Sequence, residues 1–267
     1  MAKWQTLVAR RSPAALTNFF ARGAEAYLKA WWNEANWDMA RNGEERVLST
    51  VLGMAGAPDP VIVDVGLNHG EWTRHVLGRV PQAEIHGFEI VPQTFAHAAA
   101  EFGARANVHL NNIGLSSAPG EVEVTYYPGS DTGSSISGAP WDMASEVVTC
   151  AVDTFDAYAA RAGLGKILLM KVDVEGHELE VLRGAARSLE QGLIETIQFE
   201  YGRHSIYSRT NLRDFYTLLG GLGYALGRIH PGFVHFKDYD FAADENFRSC
   251  NFLATRNPAV RDALRAA

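Results

Sequence analysis

From residue 58 onward the chain alternates short apolar runs with segments of helical period. Residues 61–65, Val-Ile-Val-Asp-Val, follow a proline-containing turn and are almost wholly apolar, as a strand covered on both faces requires. A helix is predicted for 71–77, a strand for 84–90, and a helix for 92–102 with Pro92 near its start. Residues 107–111 read as a third strand, 121–127 as an added β segment, and 129–138 as a Gly/Ser-rich loop. A strand at 147–152 and a helix at 154–162 follow, then a buried strand at 167–172 and a strongly periodic helix at 177–190. The remainder supplies a strand at 196–199, a helix at 212–222, and strands at 224–229 and 252–255. This alternation predicts an α/β fold: an open, doubly wound, mostly parallel sheet with helices on both faces.

The first 57 residues break that rhythm and are predicted to form a helical extension to the 58–267 domain. Within 1–37, Leu7, Leu16, Phe19, Phe20, Tyr27, Trp31 and Trp32 are spaced so that several share one helical stripe. Lys3, Arg10, Arg11, Arg22 and Lys29 make the stretch basic, and Glu25 is its first acid. The expectation is a cap or lid that packs its aromatics on the domain or on a second copy, giving a homo-oligomer. A basic amphipathic helix also suits peripheral contact with a membrane surface, or a transit sequence. A further helix is predicted for 36–53, with Val47, Leu48, Val51 and Leu52 as its apolar face and Gly53 as its stop.

Composition narrows the class. The chain has 267 residues, 47% hydrophobic and 21% charged, enough for one large core and unlike a disordered or disulfide-scaffold protein. No apolar run reaches the roughly 18 residues of a membrane span. A net charge of −7 argues against a general nucleic-acid binder. Cys150 and Cys250 show no metal-binding spacing, and so few cysteines suit a reducing, cytoplasmic setting.

In open α/β sheets, ligands bind beyond the carboxyl ends of the strands. The first predicted strand runs into Asp64-Val-Gly66-Leu-Asn68-His-Gly70, a tight turn into a helix whose N–H groups suit an anion. The dinucleotide pattern GxGxxG would need glycine where Asn68 stands, so a nicotinamide-dependent oxidoreductase is the weaker alternative. Asn68 can instead hydrogen-bond an amino-acid carboxylate or ammonium, and His69 reads as structural or as a contact to the cofactor edge. Glu89 ends the second strand nineteen residues after Gly70, where a carboxylate can accept from both ribose hydroxyls. Asn112 and Ile113 follow the third strand, where an adenine edge would lie. Together these strand ends outline a nucleoside joined to an amino acid, as in S-adenosylmethionine.

The same segments resemble the FkbM family of S-adenosylmethionine-dependent methyltransferases, within the Rossmann-like class I group. The resemblance lies in residues 63–73 (which include Asp64, Gly66, Asn68, Gly70 and Thr73), in Gly87-Phe-Glu89, and in Asn112-Ile-Gly-Leu-Ser116. Residues 170–185, Met-Lys-Val-Asp-Val-Glu-Gly-His-Glu-Leu-Glu-Val-Leu-Arg-Gly-Ala, carry it most specifically. It spans about 61–199 and implies O-methylation of a hydroxyl on a sugar or small metabolite. It fixes neither the acceptor nor the first 35 residues.

Catalytic candidates follow from residues 173–178. Asp173 ends a buried strand beside the expected cofactor, with helix capping as its alternative role. Glu175 lies on the following turn, and His177 suits a general base near neutrality. Glu178, Glu180 and Glu190 read as complements to helix dipoles. No metal ligand is assigned, although Asp173 and Glu200 end strands expected to be adjacent and could hold Mg²⁺ with waters. His230 and His235 read as one β segment with side chains on opposite faces, which does not make a metal pair. Acceptor contacts are expected from Ser130, Asp131, Ser134, Ser135, Ser137 and Trp141, and from 201–209. There Arg203, His204 and Arg209 either meet an anionic acceptor or are merely solvated. The remaining alternative is a non-catalytic binding protein that keeps the nucleoside pocket.

Overall fold

The computed structural model describes residues 2–10, 14–128, 134–136 and 143–266. Eleven strands are present among them: β1 (Val61–Val65), β2 (Glu84–Phe88), β3 (Val108–Asn111), β4 (Gly114–Leu115), β5 (Gly120–Tyr126), β6 (Glu146–Asp153), β7 (Ile167–Val172), β8 (Ile194–Tyr201), β9 (Ala225–His230), β10 (Phe233–Phe236) and β11 (Cys250–Thr255). Eight make the main sheet in the order β10-β9-β11-β8-β7-β1-β2-β3, and β4-β6-β5 form a small second sheet. The pairs from β8 through β7, β1 and β2 to β3 are parallel, while β11 and β10 run against their neighbours. The fold is the expected α/β sheet with helices on both faces.

The apolar composition of β1 has a direct cause. Ile62 points into a core with Val76, Leu77, Val47 and Leu48, whereas Val63 and Val65 point into a second core with Phe155, Leu182 and Phe199. Successive strand residues face opposite sides, so a strand covered twice has no polar face to spare. Asp64 and Lys171 are register partners on β1 and β7. Both are buried polar breaks in otherwise apolar strands.

Several elements depart from the sequence reading for local reasons. The helix predicted at 177–190 is two helices, Glu178–Arg183 and Ala186–Glu190. At the break, a Cβ on Gly184 would lie 2.0 Å from the Ser116 carbonyl oxygen. The Gly184 carbonyl accepts the Asp156 N–H. The Asp156 carboxylate in turn accepts the N–H groups of Arg187 and Ser188, which restarts the helix. The helix predicted at 36–53 likewise divides into Met39–Asn42 and Glu44–Gly53 around Gly43. Its apolar face is buried as expected: Val47, Leu48, Val51 and Leu52 pack on the β1 core, each worth about 1.5–3 kcal/mol. His230 and His235 lie not on one segment but on the two strands of the β9–β10 hairpin, with ring centroids 6.4 Å apart.

The largest departure is at the amino terminus. Helices Ala2–Arg10 and Ala15–Trp31 form, but Trp4, Leu16, Phe19, Phe20, Tyr27 and Trp31 are all at least 60% exposed. The expectation that these aromatics pack on the domain is therefore not met. No residue of Ala15–Trp31 is buried. Among the described residues no helix is long and apolar enough to cross a membrane. Cys150 and Cys250 are buried free thiols.

Candidate active site

A cavity of about 1330 Å³ opens at the carboxyl ends of β1, β2, β7 and β8. Its first wall is the turn after β1. Gly66 has φ of +83°, and a Cβ there would fall 1.8 Å from the Asp173 carbonyl oxygen, so only glycine lets the two strand ends approach. Asn68 also lies in the left-handed region, at φ 50°, which turns its N–H onto Glu89 Oε2 at 2.9 Å. The Val91 N–H donates to Glu89 Oε1 at 2.9 Å, and Asn112 Nδ2 donates to the Glu89 carbonyl at 2.9 Å. The Glu89 carboxylate is thus fixed at the wall. Burial pushes its pKa up, against the N–H bonds of Val91, Asn68 and Ile90.

Asp64 and Thr73 do not line the cavity; they are fully buried. Thr73 Oγ1 donates to Asp64 Oδ2 at 2.7 Å, whereas Asp64 Oδ1 has no hydrogen-bond partner among the described residues. Burial raises Asp64 to about 6, opposed by the Lys171 charge and the Thr73 bond. Gly70 closes the turn at φ 76° and begins the helix Glu71–Arg79. Ile113 lines the cavity, while Asn112 braces Glu89 from outside it. The His69 ring stacks on His97 at 4.7 Å.

The opposite wall is charged. Lys171, only 8% exposed, donates from Nζ to Asp173 Oδ2 at 2.8 Å. Burial would lower the Lys171 pKa, but Asp173, Asp64 and Glu44 together hold it above its ordinary value. Burial would raise Asp173; the charge and hydrogen bond of Lys171 and a hydrogen bond from Glu200 bring it below the usual carboxylate range. Glu200 is raised well above that range by burial and by the charges of Asp173, Glu175 and Glu178. Asp173 is thereby the more acidic member of the pair and Glu200 the one that holds a proton more readily. Burial, then Asp173 and Glu178, push Glu175 to about 9. Its Oε2 lies 3.0 Å from His204 Nε2, and burial lowers the His204 pKa.

Residues 173–178 thus do not act as a simple helix start. Asp173 caps nothing in its helix; it is bound to Lys171 and Glu200. Glu178 is buried rather than a solvated dipole complement, and its Oε1 accepts the N–H groups of Val174 at 3.1 Å and Gly176 at 3.0 Å. Burial raises it to about 7 despite those bonds. His177 is half-buried at the cavity wall, with Nε2 2.9 Å from Ser116 Oγ and a pKa lowered by burial.

The third wall comes from the amino-terminal segment, which sequence reasoning did not assign to the site. Glu34, Trp37, Met39 and Glu44 line the cavity. Glu44 accepts from Gln198 Nε2 at 2.6 Å and Asn251 Nδ2 at 3.1 Å, and Asn33 Nδ2 donates to the Asn42 carbonyl at 2.7 Å. Glu34 is paired with Arg248 and, at 3.2 Å, with Arg203. Ser134 and Ser135 also line the cavity, but Ser130, Asp131, Ser137 and Trp141 lie outside the described residues. Arg209 is exposed and not part of the cavity wall, so of the cationic group at 203–209 only Arg203 and His204 reach it. Lys171 was missed although a lysine inside an apolar strand is a readable signal.

Asp173, Glu175 and Glu200 each offer an oxygen within 4.8 Å of the others. That donor set suits a hard divalent cation in type. It fits poorly here, because the Lys171 ammonium already occupies Asp173 at 2.8 Å.

Fold and site together define a doubly wound α/β enzyme whose ligand cavity faces the strand ends at the point where strand order reverses. The methyltransferase FkbM domain model matches residues 64–251, and the chain belongs to that family. It is a methyltransferase by family, which sets aside the oxidoreductase alternative. The 2-O-methyltransferase NoeI of Sinorhizobium fredii is 24% identical over 180 residues, covering 61% of this chain and 71% of that protein. The hexuronic acid methyltransferase AglP of Haloferax volcanii is 30% identical over 149 residues, covering 55% and 59%. The methyltransferase sdnD of Sordaria araneosa is 30% identical over 157 residues, covering 47% and 60%. The chain thus spans less than two thirds of the latter two relatives.

Proposed function

We propose that the chain transfers the methyl group of S-adenosylmethionine to a hydroxyl of a sugar or a similar small metabolite. The observation that carries this reading is the division of one cavity into a Glu89 wall and an Asp173 wall. Three features fit the cofactor: the anchored Glu89 carboxylate, the close turn at Gly66–Gly70, and the orphaned Asp64 Oδ1 beneath it. Glu89 would take the ribose hydroxyls, Asn68 and the turn the amino-acid end, and Ile113 the base. When bound, the cofactor supplies a methyl group already activated on sulfonium, so the protein's main task is alignment and exclusion of water. The two relatives named for a 2-O position and for hexuronic acid support a carbohydrate acceptor.

At the other wall, Asp173 is ionised and held still by Lys171, which suits it to accept a hydrogen bond from the acceptor hydroxyl. The hydroxyl proton passes to the neutral imidazole of His204 as the oxygen–methyl bond forms and the sulfur–methyl bond breaks. Asp173, held ionised, would then stabilise the imidazolium, and general-base help of this kind is worth about 10²–10⁴ in rate. His177, bound to Ser116, positions the turn. Glu34, Trp37 and Glu44 form the acceptor-side wall, so residues 34–44 belong to the working site. The test is incubation with S-adenosylmethionine labelled in its methyl group and a panel of hexoses, uronic acids and deoxysugars. Label on a sugar oxygen is the expected product. Label appearing only on amines or carbon, or none from a cofactor-bound enzyme, overturns the reading.

A further inference from the structure

The helix Ala15–Trp31 carries a finished apolar face that no described residue buries. At about 100° per residue, Leu16, Phe19, Phe20, Tyr27 and Trp31 fall within an arc of about 120°. Asn18, Arg22, Glu25 and Lys29 fall on the opposite side. Leu16, Phe19, Phe20, Tyr27 and Trp31 are each 60–70% exposed. The preceding helix Ala2–Arg10 repeats the pattern, with Trp4, Leu7 and Val8 exposed. Exposed aromatic area of this extent marks a contact surface rather than ordinary surface scatter.

Charge selects the occupant. The first 31 residues hold five basic side chains and one acid, net +4, which leaves −11 on the rest of a chain whose total is −7. A basic helix with Trp, Tyr, Phe and Leu on one face has the composition of a helix lying in a lipid headgroup layer, its aromatics at the acyl boundary. An acidic body bearing a cationic aromatic arm is steered to an anionic surface arm first, and the body's own repulsion keeps it standing off. The helix is about 25 Å long, and its last turn reaches the cavity, since Lys29 lies on the cavity wall. We propose that the helices Ala2–Arg10 and Ala15–Trp31 dock on an anionic lipid bilayer and hold the cavity mouth toward it.

The test is cosedimentation of the full chain with vesicles of phosphatidylcholine alone and of phosphatidylcholine mixed with phosphatidylglycerol. Binding at least about tenfold tighter to the mixed vesicles is expected, and higher salt should weaken it. The double variant Phe19→Glu/Phe20→Glu should lose binding at least tenfold while circular dichroism and cofactor titration stay unchanged. Arg10→Gln/Arg22→Gln should lose the preference for the anionic vesicles. Equal binding to both vesicle types overturns the assignment to an anionic surface. No binding to either overturns the proposal outright; if Phe19→Glu/Phe20→Glu then also converts a dimer to a monomer by ultracentrifugation, the face belongs to a second copy.

Discussion

The two ends of the cavity are made by different means. At the Glu89 end, backbone N–H groups from neighbouring turns hold the carboxylate, and its surroundings come from residues 64–73 and 89–113. At the Asp173 end, side chains hold side chains: Lys171, Glu200, Glu175, His204 and Glu44 come from three stretches of chain up to 160 residues apart. The first arrangement suits a ligand that is the same in every turnover, because backbone geometry is fixed by the fold. The second is a cluster of buried acids around one buried cation, adjustable to an acceptor by single substitutions. On the proposed function, a binding end and a reacting end should separate by mutation.

The largest effect should come from the single cation. Lys171→Met leaves Asp64, Asp173 and Glu44 buried without it, and should cost about 3–5 kcal/mol of stability in denaturant unfolding. A variant as stable as the wild type would mean that Lys171 is not the counter-charge of the cluster. Next, Asp173→Asn should lower kcat about 10²-fold or more while leaving cofactor affinity within a factor of two or so. A fall in affinity with unchanged kcat would erase the distinction between the two ends.

The mirror experiment is Glu89→Ala, expected to weaken S-adenosylmethionine binding about 10- to 100-fold through loss of charge-assisted hydrogen bonds. Its kcat at saturating cofactor should change little. The smallest effect concerns pH. Glu178 has a folded pKa near 7 against an ordinary 4.5, so the folded chain takes up that proton first. The cost of keeping Glu178 ionised is absent below about 4.5 and complete above about 7, of order 1–3 kcal/mol. Unfolding of Glu178→Gln at pH 5 and pH 8 should show a flatter decline than the wild type. An unchanged slope would place the titration elsewhere.

The same contrast explains what could be read from the sequence. Asp64, Gly66, Asn68, Gly70 and Glu89 stand in short runs at strand ends, and the sheet that orders those ends follows from alternating periods of two and 3.6. The Asp173 end is assembled by tertiary contact, so only its motif on the chain was visible. Glu34 gave no local sign of pairing with Arg203 and Arg248, nor Glu44 of reaching β8 and β11. The break at Gly184 depends on the Ser116 backbone and the Asp156 cap, neither near it in sequence. Amphipathic period gave the apolar face of both Glu44–Gly53 and Ala15–Trp31, yet only the first is buried. Period identifies a face and says nothing of what covers it.

The separation of ends is tested most directly by calorimetric titration of S-adenosylmethionine, S-adenosylhomocysteine and NAD into wild type, Glu89→Ala and Asp173→Asn. Micromolar binding of the two sulfur nucleosides, unaffected by Asp173→Asn and weakened at least tenfold by Glu89→Ala, is the predicted result. Binding of NAD in their place, or no binding by the folded wild type, would contradict it.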